Sequence, residues 1–259
     1  MMTEQRVPLK KRLELGESPV GMLVRMPAEP LIEYAAVAGF DFVLLDCEHG
    51  PSDLLALQQH ITLATARGMA SLVRIGRSGT DDVLRVLESE AEGVLAPHIE
   101  DAAEAAAIVR AAHFPPLGGR GFAQYGQAGR FGTVPAAAQI RRARENTLVA
   151  VMIETGKGVA DADAILAVPG VDAVMAGPAD LSVSMGLTGG VDEPAVRDAV
   201  ARINTVAAGA GRHVLTVVGD EERARAARPG LIVYNVTKVL VDRFRQLADG
   251  ARDSSDGDT

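Results

Sequence analysis

The sequence predicts an α/β fold, a closed (β/α)8 barrel forming one domain over residues 1–250. Three observations carry this. The chain has 259 residues, close to the roughly 250 usual for such a barrel. Eight short apolar runs recur along it, each followed by a stretch with helical periodicity. The runs are continuously apolar rather than alternating, as strands covered on both faces of a parallel sheet are. An open doubly wound sheet is the competing architecture. The barrel is preferred because no G-x-G-x-x-G follows the first run and because polar residues close several non-adjacent runs.

Taken in order, residues 9–15 form a short leading helix and residues 20–24 the first strand. A helix over 30–37 is stopped by Gly39. The second strand, 40–45, gives way at once to Asp46, Glu48 and His49. Gly50 and Pro51 break the backbone there, and Ser52 or Asp53 caps a helix over 54–66. Leu54, Leu57, Ile61 and Ala64 share one face of that helix. The third strand is 71–74. Thr80 caps a helix over 81–89, with Val83, Leu84 and Leu87 inward. The fourth strand, 93–96, is closed by Pro97 and His98, and Asp101 caps an alanine-rich helix to residue 112.

Residues 113–134 are glycine-rich and aperiodic, with Arg120 and Arg130. A loop of that length inside a compact domain is more often functional than idle. It lacks the GK[ST] ending of a nucleotide-binding P-loop. Residues 135–146 are helical and basic. The fifth strand, 148–153, ends in Glu154, and a helix over 159–167 follows. The sixth strand, 171–175, runs into Gly177-Pro178-Ala179-Asp180. A helix over 194–208, a strand over 213–217, a short helix over 221–227, a strand over 231–234 and a last helix over 238–247 complete the units. Residues 249–259 read as a frayed end, with 251–259 a disordered tail.

Hydrophobic residues make up 47% and charged residues 23%, without tryptophan, so the core is built from Ala, Val, Leu and Ile. The net charge of −8 is spread along the chain, which argues against a nucleic-acid surface. One cysteine, Cys47, excludes an internal disulfide and fits a cytoplasmic address. At a strand end it reads as a small packed hydrophobe rather than a nucleophile. The N-terminus has no apolar segment of a secretory signal, and no run approaches the roughly 18 apolar residues that span a membrane.

In a barrel the polar residues at the strand ends converge on one mouth. The second strand supplies Asp46, Glu48 and His49, the third Arg74, the fifth Glu154 and the sixth Asp180. Glu154 and Asp180 offer anionic oxygen without cysteine or clustered histidine, a donor set for Mg²⁺ or Mn²⁺, with Co²⁺ possible. Two protein ligands leave positions for a chelating 2-oxo acid, whose enolate such an ion stabilises. Arg74 adds a fixed cation, and His49 is the natural proton carrier. Asp46 and Glu48 are placed to orient them. Plainer roles exist for each: Arg74 as a rim ion-pair partner, Glu154 as a helix cap, Asp180 as the N-cap of a short helix. His60, His113 and His213 read as structural, and His98 ends the fourth strand on the active side. No lysine ends an inner strand, which disfavours Schiff-base chemistry.

Five stretches together carry a family resemblance: FDFVLLDCEHGP (40–51), LVRI (72–75), FPPLGGRG (114–121), IET (153–155) and GPADLSVSMG (177–186). The chain resembles the HpcH/HpaI family of metal-dependent pyruvate aldolases, which includes 4-hydroxy-2-oxoheptanedioate and 2-dehydro-3-deoxyglucarate aldolases. The resemblance covers residues 20–247. It implies a (β/α)8 TIM barrel of the phosphoenolpyruvate/pyruvate type, with the last helix exchanged between subunits of a hexamer, a trimer of dimers. It implies Glu154 and Asp180 as metal ligands, Arg74 as the arginine that stabilises the pyruvate enolate, and His49 as the catalytic histidine. Glu88 falls where relatives carry an aspartate paired with that histidine, and Asp46 matches another acid of the site. The backbone at Ala179 and Asp180 would meet the substrate carboxylate, and the loop with Arg120 and Arg130 would shape the aldehyde end.

The chain departs from this pattern at three places. Met152 stands where a pyruvate-binding glutamine is often found, His98 replaces an apolar residue, and YNVTKVL after the last strand is unlike the usual pattern. The implied reaction is cleavage or formation of a 4-hydroxy-2-oxo acid from pyruvate and an aldehyde. Oxaloacetate decarboxylation, a biosynthetic carbon–carbon bond formation on the same enolate, and an inactive barrel serving as an assembly subunit are the alternatives.

Overall fold

A computed structural model describes residues 6–50, 53–76 and 80–253. Eight strands alternate with helices along the chain. The strands are β1 (Val20–Val24), β2 (Phe42–Asp46), β3 (Ala70–Arg74), β4 (Gly93–Ala96), β5 (Leu148–Ile153), β6 (Ala173–Ala176), β7 (His213–Val218) and β8 (Leu231–Asn235). The helices are α1 (Leu9–Glu14), α2 (Glu29–Val37), α3 (Leu54–Ala66), α4 (Thr80–Glu88), α5 (Ala102–Ala112), α6 (Ala136–Asn146), α7 (Gly156–Ala160), α8 (Ala162–Ala167), α9 (Pro178–Ser184), α10 (Pro194–Gly209), α11 (Glu221–Ala226) and α12 (Val236–Asp253). The strands pair in sequence order, all parallel, and β8 returns to β1, so the sheet is the closed barrel the sequence predicts.

Two apolar layers follow from the strand pattern. One fills the barrel, with Phe42, Leu44, Leu72, Leu95, Leu148 and Met152. The other lies between sheet and helices, with Val43, Val73, Val94 and Val151 facing Ile61, Val86, Val109 and Ile165. Phe42 fills so much of the interior that a Cβ at Gly21 would lie 2.4 Å from its ring, so β1 needs glycine there. Leu9 and Leu13 of α1 join the interior layer and close the N-terminal end of the barrel. Burying each contributes roughly 2 kcal/mol. Around this plug Lys10 pairs with Asp172 at 2.8 Å and Arg12 with Asp41 at 2.6 Å. One mouth is thus sealed, and the opposite mouth holds the strand ends.

Several boundaries differ from the sequence expectation. β2 begins at Phe42, because the Asp41 carboxylate is used to accept the Val20 N–H at 2.7 Å at the edge of the sheet. β6 begins at Ala173 for the same reason: Asp172 accepts the Val149 N–H at 2.9 Å. Asp53 does cap α3, accepting from Leu55 and Ala56, while Pro51 and Ser52 lie outside the described residues. Leu54 and Leu84, expected inward, are 43% and 38% exposed. His60, expected on a helix surface, is buried, and its Nε2 accepts the Ala28 N–H at 3.4 Å. The glycine-rich loop contains a 3-10 segment at Gln127–Gly132, with Arg130 and Phe131 at φ 48° and 56°. The last helix starts directly from β8 and runs to Asp253, and residues 254–259 of the expected tail lie outside the described residues. Among the described residues no helix is long and apolar enough to cross a membrane.

β6 and β7 pair only at Ala173↔His213 and Val174↔Val214, near their N-terminal ends. Their C-terminal halves are unpaired with each other.

Candidate active site

The strand ends assemble around one guanidinium. β2 and β3 run in register, Asp46 beside Arg74. Arg74 Nε donates to Asp46 Oδ1 at 2.8 Å, and its NH2 donates to Asp46 Oδ2. This is a two-point fork between side chains that are 5% and 0% exposed. Burial alone would raise the Asp46 carboxyl, but the bond and charge of Arg74, with help from Arg25 and the His49 amide, hold it down at about 2. The fork leaves Arg74 NH1 free to face inward, where it lies 3.8 Å from the Met152 sulfur. Arg25, just past β1, donates its Nε to Asp46 Oδ2 at 2.8 Å.

A second cluster lies beside the first. Glu154, at the end of β5, is 2% exposed. Its Oε1 accepts the backbone N–H of His98 at 2.6 Å, and His98 Nδ1 lies 3.2 Å from the same oxygen. His98 Nε2 lies 2.9 Å from Glu48 Oε1. Glu48 Oε2 in turn stands 3.4 Å from Arg74 Nε and 3.7 Å from His49 Nε2. Burial raises the Glu154 pKa; the His98 contacts oppose this, and the charges of Asp180 and Glu48 add to it. Among the described residues, Glu48, His98 and Glu154 form the group whose ligating atoms close to within 4.8 Å of one another.

Asp180 enters from the other side. It lies in the first turn of α9, whose N-cap is Gly177, so it does not cap the helix. A Cβ at Gly177 would come within 2.6 Å of Glu154 Oε2, so glycine is what lets the turn before Asp180 approach that carboxylate. A buried carboxylate whose pKa is raised by burial, and further by the charge of Asp180, suits a hard divalent cation with oxygen ligands. The residues present therefore fit such an ion.

These groups frame a cavity of about 360 Å³. Its walls are Arg25, His49, Arg74, Met152 and the Gly177–Asp180 turn, over a floor that includes Leu23, Leu44 and Leu95. His49 is half exposed, its side chain 53% accessible. Ala179 and Asp180 carry first-turn amides with no acceptor within the helix.

Not every expected residue reaches the cavity. Glu88 accepts from Arg120 NH2 at 2.7 Å instead of meeting His49, because α4 turns its end toward the glycine-rich loop. Arg120 gives its NH2 to that pair and lies over the face of Phe114, 4.9 Å from its ring centre, with its Nε unpartnered, and it is not a cavity-lining residue. Burial and nearby Asp46 and Asp82 push the Cys47 thiol up to about 11, as befits a packed side chain. Glu154 leaves capping to Thr155, which accepts the Gly158 N–H at 3.1 Å. Arg25 went unnoticed in the sequence, although it follows a strand just as His98 and Glu154 do.

A model of the HpcH/HpaI aldolase/citrate lyase family matches residues 20–230. A hydroxypyruvate/pyruvate aldolase of Pseudomonas aeruginosa is 37% identical over 221 residues, covering 83% of this chain and 80% of that protein. A 4-hydroxy-2-oxovalerate aldolase of Rhodococcus jostii (strain RHA1) is 34% identical over 251 residues, covering 92% and 96%. The crystal structure of an HpcH/HpaI aldolase/citrate lyase family protein from Burkholderia cenocepacia J2315 superposes with a TM-score of 0.87 at 30% identity, covering 94% of this chain and 98% of that one.

Proposed function

Since the chain belongs to the HpcH/HpaI aldolase/citrate lyase family, we propose that it is a divalent-cation-dependent aldolase acting on 4-hydroxy-2-oxo acids. The products are pyruvate and an aldehyde, or the reverse. The observation that carries this is the immobilised Arg74 guanidinium, forked to buried Asp46 and facing a cavity closed opposite by the Gly177–Asp180 turn.

Glu154 and Asp180 would hold the cation, Mg²⁺ or Mn²⁺. Bound there, it would supply Lewis-acid polarisation of the oxo acid. The chain's own residues supply the rest. Cleavage removes the proton of the 4-hydroxyl, breaks C3–C4 and sends the electron pair to the C2 oxygen as an enolate. Arg74 NH1 donates to that oxygen, and its fork to Asp46 spares the cost of reorienting it as charge develops. His49 is half exposed at the mouth, takes the hydroxyl proton and returns a proton to C3 after the aldehyde leaves. The amides of Ala179 and Asp180 receive the oxo-acid carboxylate, and Met152 packs on its methyl side. The exposed apolar face of α12, with Phe244 62% and Leu247 55% accessible, supports exchange of this helix within a homo-oligomer, a hexamer built as a trimer of dimers. A cytoplasmic address rests on the single cysteine.

The test is pyruvate release from 4-hydroxy-2-oxo acids before and after EDTA treatment. Release should vanish with chelation and return with Mg²⁺ or Mn²⁺. Release indifferent to EDTA would remove the cation from the mechanism. Oxaloacetate assayed in parallel separates decarboxylation, a second reading that Arg25 favours because its guanidinium on the cavity wall suits an extra carboxylate.

A further inference from the structure

His98, which holds Glu154, is one of four non-glycine residues with a left-handed backbone among the described residues, at φ 54°. Left-handed backbone at such a residue is unfavourable and is kept where surrounding contacts enforce it. Here it turns the His98 amide onto Glu154 Oε1 at 2.6 Å and sets the ring between two carboxylates, 3.2 Å from Glu154 and 2.9 Å from Glu48. One residue thus engages the same Glu154 oxygen twice. The other oxygen, Oε2, is left beside Gly177, on the side from which Asp180 approaches.

We propose that His98 is a positioning residue of the cation site, clamping one oxygen of Glu154 so that the other is presented toward Asp180. Resting on the proposed function, this assigns a task to a side chain that the cation and substrate do not touch. Both ring nitrogens face carboxylates, and Glu48, His98 and Glu154 close to within 4.8 Å of one another as a group able to hold an ion themselves; the clamp assigns this group to the support of Glu154 and leaves coordination to Glu154 and Asp180. Through Glu48, the clamp also ties the Glu154 carboxylate to the side of the cavity where Arg74 and His49 stand. Groups behind a metal ligand that fix its orientation commonly change affinity by about 10–100-fold when removed.

The experiment measures Mn²⁺ binding to the whole protein, by loss of the free-ion electron paramagnetic resonance signal, for wild type, His98→Leu and His98→Gln. Thermal melts check folding. Deuterium exchange at the pyruvate methyl gives kcat and KM. His98→Leu should weaken Mn²⁺ by about 10–100-fold while kcat at saturating Mn²⁺ falls far less. His98→Gln, which offers a single donor nitrogen in place of the two separated ring nitrogens, should recover part of the affinity, and it serves alone if the leucine variant does not fold. Folded variants that bind Mn²⁺ as tightly as wild type would overturn the clamp and leave the proposed function standing. A nitrogen coupling from His98 in the bound Mn²⁺ spectrum would overturn it too, by making the ring a ligand. Wild type that binds no Mn²⁺ would overturn both together.

Discussion

Arg74 NH1 points at the sulfur of Met152 across 3.8 Å. The other two arms of the guanidinium are held by Asp46. The one guanidinium nitrogen that Asp46 does not engage therefore rests against a thioether, which accepts hydrogen bonds weakly. Glutamine at this position would accept from NH1 and turn its own amide toward the cavity. Met152→Gln should lower the KM for pyruvate in methyl exchange by about fivefold, the effect of roughly one added hydrogen bond. Met152→Leu, close in volume, should leave it unchanged. Equal KM values in all three proteins would show that the polarity of this wall does not matter.

The fork itself can be tested by keeping the charge and losing the shape. Arg74→Lys retains a cation but cannot meet both Asp46 oxygens and also reach the cavity. Turnover of a 4-hydroxy-2-oxo acid should fall by about 10²–10³, the size of one lost preorganised donor. The variant should also melt earlier, because Asp46 remains buried with a poorer partner. Near-normal turnover in a folded variant would mean that position 74 acts through charge alone.

Arg25 offers a prediction about substrate shape. Its Nε is committed to Asp46, while the guanidinium lies on the cavity wall with its side chain 37% exposed. A cation there suits a substrate with a second anionic group far from the oxo acid. Arg25→Leu should raise KM about tenfold for a substrate with a distal carboxylate, in line with a lost charge-assisted hydrogen bond. For a neutral substrate KM should barely move. The same rise for both substrates would place Arg25 in support of Asp46 only.

The barrel was legible because buried parallel strands leave an unbroken apolar signature, and Phe42, Leu72 and Leu148 each sit in such a run. Arg74 was legible as a cation at a strand end, but its fork was not, since register between β2 and β3 sets it. His98 was visible as a strand-end residue; its bridging position depends on a left-handed backbone that no propensity foretells. Glu88 shows the converse. Its place in the chain matched a pairing with His49, while the path of the glycine-rich loop brought Arg120 to it instead. The sealed mouth was hidden as well: Leu9 and Leu13 announce a helix, but only the packing makes them a plug.

On that sealed side, His113 sets a pH limit on stability. It ends α5, is 2% exposed, and neither ring nitrogen has a hydrogen-bond partner. Burial, and then nearby Lys10 and Arg120 against the opposing Asp172, push its pKa from 6.5 down to about 4. A base whose folded pKa is depressed binds fewer protons native than unfolded between those values, so stability rises with pH across that window. The contribution is complete above about pH 6.5 and falls as the pH drops toward 4. At pH 5 the loss is about 2 kcal/mol relative to pH 7.5. Urea unfolding of wild type and His113→Leu at both pH values measures it. The wild type should lose that much more than the variant, whose apolar ring replacement carries no proton. His213, also lowered, contributes equally to both proteins and cancels. Matching pH slopes would show that the His113 ring is solvated or paired in solution, contrary to its place behind the plug.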